Sequence, residues 1–158
     1  MDELRPGLWT WTGEHPEWTP EMTWGPDVRS YAVQVEAKRY LFDPIAPAPS
    51  ADAILLTVPW HLRSANELGL PVLDDPPPGI EWRPGFFAEE RVYWLPAHRA
   101  IVIGDAFADE HTGPVEVETT DPDAAARLRA LLELPFELVL PTHGDVTDRH
   151  AFEVSLEV

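Results

Sequence analysis

Apolar and polar residues alternate in two neighbouring stretches, Tyr31–Glu36 and Arg39–Phe42, joined by Ala37 and Lys38. A period of two puts every second side chain on one face of an extended chain, so the pattern predicts a β-hairpin. Asp43-Pro44 closes the second strand, because proline has no N–H for a ladder. A shorter alternation, Trp9-Thr10-Trp11, predicts an earlier strand with both rings on one side. Ala53–Val58 is apolar without a break and predicts a strand covered on both faces. His61 to Leu68 has helical character, with Gly69 as its stop.

Further along, Val72-Leu73, Ile80–Arg83, Arg91–Leu95, Ala100–Ile103 and Phe136–Leu140 are strand candidates. Asp121 to Leu134 is the clearest helix: Asp121 as cap, Pro122 in the first turn, then an Ala- and Leu-rich stretch. Its Leu128, Leu131 and Leu132 stand at i, i+3 and i+4 and give one apolar face. The segment His150 to Val158 leaves helix and strand both open. Glu14 to Pro26 reads as a long loop pinned by Trp18 and Trp24, either a lid over the core or one wall of a ligand pocket. Strands, helix, strands, long helix, strand is an α/β order. It predicts one domain over residues 1–158, a sandwich with strands in the middle and helices outside.

Composition narrows the function classes. The chain has 158 residues, 44% of them hydrophobic, enough for one packed core. Its 18 prolines and 9 glycines flank the apolar runs as turn punctuation. With 28 acidic against 11 basic side chains, the net charge is -17. Such a field repels phosphate backbones and anionic lipid, so no nucleic-acid or membrane partner is expected. Absence of cysteine excludes disulfides and thiolate chemistry. No apolar run approaches the ~18 residues of a membrane span, and Met1–Arg5 lacks a signal-peptide pattern. A cytoplasmic protein is the expectation.

Candidate chemistry sits where strands end. Asp43 follows the second strand, Trp60-His61 the third, Gly104-Asp105 the Ala100 strand, and Thr142-His143-Gly144 the last. Two imidazoles and one or two carboxylates, if they converge, suit zinc or iron. His15, His98, His111 and His150 lie in loop-like surroundings and are expected at the surface. There is no glycine-rich phosphate loop and no Gly-x-Ser-x-Gly elbow.

The order of these pieces resembles the metallo-β-lactamase-like hydrolases. Leu41-Phe42-Asp43-Pro44 is similar to their strand-end aspartate motif, and Ala53-Ile54-Leu55-Leu56-Thr57 to the strand that leads into their His-x-His-x-Asp-His signature. Arg83-Pro84-Gly85-Phe86 resembles their Thr-Pro-Gly-His segment. Val102-Ile103-Gly104-Asp105-Ala106-Phe107 resembles the segment with the metal-bridging aspartate, and Leu140-Pro141-Thr142-His143-Gly144 the loop with the final histidine ligand. The resemblance runs from about residue 5 to 150 and implies a shortened αββα sandwich.

The departures bear on function. Where the family presents His-x-His-x-Asp-His, this chain has Val58-Pro59-Trp60-His61-Leu62-Arg63, and Phe86 stands where a histidine is expected. Asp105 and His143 match ligand positions, and His61 matches one if a residue is inserted. A guanidinium beside a dication is unfavourable in a partly buried site, so Arg63 is expected to pair with Asp43 or Asp105 and replace the lost metal charge. The first reading is therefore a relative without the dinuclear site and without a cofactor, inactive or binding a small molecule in a pocket of Trp60, His61, Arg63, Phe86, Asp105, His143 and Asp43. The alternative is a hydrolase of an ester or thioester with a single Zn, Fe or Mn ion on His61, Asp105 and His143. A third reading is an interaction protein whose Trp-rich N-terminal segment covers a partner or a second copy.

Overall fold

The computed structural model describes residues 1–22, 24–108 and 121–156, the side chains of 107 and 108 excepted. Its contacts gather into two compact units, Met1–Pro76 and Pro77–Val158.

The first unit is a five-stranded sheet in chain order: β1 (Asp2–Arg5), β2 (Leu8–Glu14), β3 (Asp27–Val35), β4 (Lys38–Phe42) and β5 (Ala53–Leu55). The first four strands run antiparallel and β5 joins β4 in parallel. Register aligns Trp9, Ala32, Leu41 and Ile54 in one row across four strands. Ala32, Leu41 and Ile54 form a core with Trp11, Val28, Ile45 and Ala65, and Trp9 packs at its edge. The Arg39 guanidinium lies 4.6 Å from the Trp9 ring centroid, covering that edge with a cation on an aromatic face. The next row, Thr10, Tyr31, Phe42 and Leu55, is buried as well. Both faces of the sheet centre are thus closed to water, as the unbroken apolar run at Ala53 predicts.

Three expectations shift here. The hairpin turn is Glu36-Ala37, one residue early, with Glu36 taking the positive φ of 54°. β5 stops at Leu55 instead of Val58, because the Thr57 amide leaves the ladder for a side chain of the loop after β4. The helix expected from His61 shrinks to α1 (Ala65–Leu68), a single turn ended by Gly69 at φ 63°. Val72 makes one isolated bridge to Ile54. The predicted aromatic anchors of the tryptophan loop engage each other: Trp18 Nε1 donates to the Trp24 carbonyl at 2.8 Å, and His15 meets the Trp24 ring edge-on at 5.2 Å.

The second unit is also a five-stranded sheet: β6 (Glu81–Pro84), β7 (Arg91–Leu95), β8 (Ala100–Ala108), β9 (Leu138–His143) and β10 (Thr147–Asp148), in the order β10-β9-β8-β7-β6. Among the described residues of this unit only β8 and β9 are parallel. A parallel pair needs a long crossover, and the connection carries α2 (Ala124–Ala130), tightened at its end into a 3-10 turn over Leu131–Glu133. Leu128 and Leu131 bury into a core with Trp94, Ile101, Val139, Phe136 and Phe152, while Leu132 packs at its margin. The helix is shorter than expected, and the Asp121 carboxylate accepts the Asp123 amide at 2.9 Å. The terminal segment resolves as a helix, α3 (Arg149–Leu156). β9 starts two residues late and runs through Pro141 to His143, so that tip is strand, not loop. Among the described residues no helix is long and apolar enough to cross a membrane.

Candidate functional site

In the first unit the strand-end aspartate organises everything near His61. Asp43 has a positive φ of 45° and is fully buried. Buried carboxylates need donors to offset lost hydration, and this one has three. Its Oδ1 accepts the Thr57 amide at 2.8 Å, while Oδ2 accepts the Thr57 hydroxyl and His61 Nδ1, the latter at 2.9 Å. Thr57 Oγ1 also lies 3.2 Å from His61 Nδ1. A carboxylate on Nδ1 keeps the proton there and makes Nε2 the acceptor nitrogen, the state of a ligand or a base.

The turn that carries His61 is bolted at its far end. Arg63, at φ 43°, donates NH1 to the carbonyls of Asp43 (2.9 Å) and Arg29 (3.0 Å). Ser64 Oγ accepts the Ala46 amide at 2.9 Å. The expected partnership of Arg63 with Asp43 takes the form of a bond to the backbone carbonyl, while Thr57 and His61 occupy the carboxylate. Exposure alternates along this turn, with His61 buried between Trp60 and Leu62, which are 50% and 42% exposed.

In the second unit Asp105 lies in β8 and His143 ends β9. The ladder between these strands changes register between Ile103 and Ala108. There the two side chains meet, with His143 Nε2 3.0 Å from Asp105 Oδ1 and each only partly exposed. Phe86 takes another course: its ring sits in the core of the second unit, edge-on to Phe87 at 5.2 Å. His98 is buried at 9% exposure, against the surface expectation, because the turn after β7 folds it inward. His150 is exposed as expected; His111 and Gly113-Pro114 fall outside the described residues.

Sequence reasoning missed Thr57 and Glu90. Thr57 closes an apolar run and reads as a strand residue, and Glu90 sits beside Glu89 outside every strand and helix the pattern predicts. Only the strand-end position of Thr57, fourteen residues from Asp43, carried a usable signal.

No family model matches the chain, and no curated protein matches its sequence. Solved structures do match. The metallo-β-lactamase DIM-1 superposes with a TM-score of 0.74 at 11% identity, over 99% of this chain and 94% of that one. An archaeal metallo-β-lactamase superfamily protein, ST1585 from Sulfolobus tokodaii, gives 0.72 at 16% identity, over 96% and 85%. The metallo-β-lactamase FIM-1 from Pseudomonas aeruginosa, in its mono-zinc form, gives 0.66 at 15%, over 98% and 92%.

The chain has the metallo-β-lactamase fold. The likeness spans nearly the whole sequence and bears out the αββα sandwich expected from the strand order. At such identities a metallo-β-lactamase fold says nothing of reaction, since one scaffold hosts many chemistries. The donor atoms decide how far a metal fits. Imidazoles at 61 and 143 and a carboxylate at 105 are ligand types for zinc, iron or manganese. The Asp43 carboxylate behind His61 is the outer partner that ligating histidines have. At two positions where the resemblance implies further ligands, Arg63 holds carbonyls and Phe86 lies in the core of the second unit.

Proposed function

We propose that this protein is a metal-dependent hydrolase of an ester or thioester that uses one ion, with Asp105 and His143 of the second unit among its ligands. The observation that carries the reading is the Asp105–His143 contact, which brings a carboxylate and an imidazole to 3.0 Å of each other in the second unit. In the first unit the Asp43–His61 bond at 2.9 Å supports it, since it sets a buried imidazole in the tautomer of a ligand or a base. FIM-1, of the same fold, exists in a mono-zinc form. When bound, such an ion polarises a carbonyl and lowers the pKa of its water towards about 7.

The chain's own residues do the rest. Asp43 and Thr57 hold the proton on His61 Nδ1, and Arg63 and Ser64 keep the turn from swinging. Trp60 and Leu62 offer apolar surface to a substrate that the net charge of -17 favours as neutral or cationic. We place the protein in the cytoplasm, on its lack of cysteine.

Protein purified without chelators should contain one equivalent of metal and hydrolyse 4-nitrophenyl esters or acyl thioesters. Asp105→Ala and His143→Ala should each lose metal and activity. Two equivalents per chain, or turnover unaffected by adding or stripping zinc, iron and manganese, would sink the reading.

A second reading has its own observation. The Asp105 carboxylate and the His143 imidazole stand 3.0 Å apart, a contact that also suits a metal-free binding protein that has lost the dinuclear site. It predicts an unchanged melting temperature on adding zinc or chelator, and saturable binding of a small neutral or cationic ligand without turnover.

A further inference from the structure

Glu90 is 1% exposed in the interior of the second unit, just before β7. Its carboxylate is committed to backbone amides of two separate segments. The Phe86 amide donates to Oε1 at 3.4 Å, and the Ala106 amide to Oε2 at 3.2 Å. Its own backbone closes the loop around it: the Gly85 amide donates to the Glu90 carbonyl, and the Glu90 amide to the Phe87 carbonyl, each at 3.0 Å. Arg127 secures the same loop from the helix side, Nε to the Gly85 carbonyl and NH2 to the Phe86 carbonyl, both at 2.7 Å.

Glycine at 85 is what admits this carboxylate. A Cβ there would stand 2.2 Å from Glu90 Oε1 and 2.6 Å from Cγ and Cδ, far inside contact distance. The buried acid therefore needs a position with no side chain, two aligned amides and a cationic brace. An anion accepting N–H bonds is held about twice as strongly as a neutral acceptor, and two oxygens let one side chain bind two segments.

The second of those amides follows Asp105 directly. Ladder pairing between β8 and β9 is interrupted from Ile103 to Ala108, so strand pairing does not set the Asp105–Ala106 peptide. We infer that Glu90 is a positioning residue, which fixes this peptide and thereby holds the Asp105 carboxylate against His143. The inference rests on the one-metal reading only for its effect on metal affinity; the Asp105–His143 geometry is independent of it.

The test compares Glu90→Gln, Glu90→Ala and Gly85→Ala with Val92→Ala, a buried apolar control on β7. Chemical shifts of the His143 ring nitrogens and of the Phe86 and Ala106 amides are recorded without metal, and zinc affinity is measured by calorimetry. Glu90→Gln keeps one acceptor oxygen and should shift the His143 nitrogens and weaken zinc about tenfold, with Glu90→Ala nearer a hundredfold. Gly85→Ala should match Glu90→Ala, because it evicts the same side chain. Val92→Ala should lower the melting temperature and leave both readouts in place. His143 nitrogens unmoved in both Glu90→Gln and Gly85→Ala would overturn the inference, as would an equal shift in Val92→Ala. If the wild type takes up no zinc, the one-metal reading fails and the nitrogen shifts alone decide for or against Glu90. If Glu90→Ala does not fold, Glu90→Gln and Gly85→Ala carry the test.

Discussion

Oδ2 of Asp43 receives Nδ1 of His61 at 2.9 Å and the Thr57 hydroxyl beside it. One oxygen thus serves two donors, and both must present hydrogen to it. That fixes the rotor of the threonine and the tautomer of the histidine together.

Asp43→Asn should break this arrangement, because a carboxamide places an NH2 where an acceptor is needed. We expect a loss of about 2–4 kcal/mol, the range for a buried polar group left mispaired. Nitrogen-15 spectra should show His61 leaving the Nδ1–H form. An unchanged tautomer with unchanged stability would refute the account of the cluster. Thr57→Val, which keeps the shape and drops one donor, should cost only about 1 kcal/mol in chemical denaturation.

Arg63 combines a useful side chain with an unfavourable backbone angle. Its positive φ of 43° suits glycine, and its guanidinium holds two carbonyls. Arg63→Ala loses the bonds and keeps the strain, whereas Arg63→Gly loses the bonds and relieves it. The alanine variant should therefore be less stable than the glycine variant by about 1 kcal/mol in urea titrations. The reverse order would mean that the angle is not maintained.

At low pH the second unit should weaken where Asp121 meets Arg127. The Arg127 guanidinium, 2.7 Å away, holds the Asp121 carboxyl below the ordinary carboxylate range, with help from the Asp123 amide. A lowered pKa in the folded state means stability that is present above the unfolded value of about 4. It is lost as pH falls through the folded value. In a carboxyl titration followed by NMR, Asp121 should have a midpoint below ordinary aspartates, and Arg127→Ala should raise it. An ordinary midpoint in the intact protein would count against the pair.

Core burial gives a simpler expectation. Leu128 is 2% exposed in the second unit, so Leu128→Ala should cost about 2–4 kcal/mol. For a chain of this length that is roughly 2–4 °C of melting temperature per kcal/mol, readable by calorimetry.

Strand rows were legible because both faces of each sheet centre are apolar and the turns carry proline. Asp43, His61, Asp105 and His143 were legible for a related reason: each polar residue interrupts the chain just where an apolar run ends. What stayed hidden depends on contacts distant in sequence. Nothing near Val58 announces that the Thr57 amide turns to Asp43 and cuts β5 short. Helical spacing from His61 was real but outweighed by the bonds that pull His61 and Arg63 inward, one of them through an angle no helix contains. Glu90 was the hardest case, since its value comes from two amides sixteen and four residues away and from a glycine that makes room.

The slip in step between β8 and β9 divides the labour of those two strands along their length. Ahead of Ile103 the paired backbones act as a beam, and damage there will be felt as melting. Past that point the Ala106 amide answers to a side chain instead, so on the reading proposed above a change of one atom there should retune an affinity while the beam stays whole. Variation in this protein should therefore accumulate function on one side of a single peptide and stability on the other.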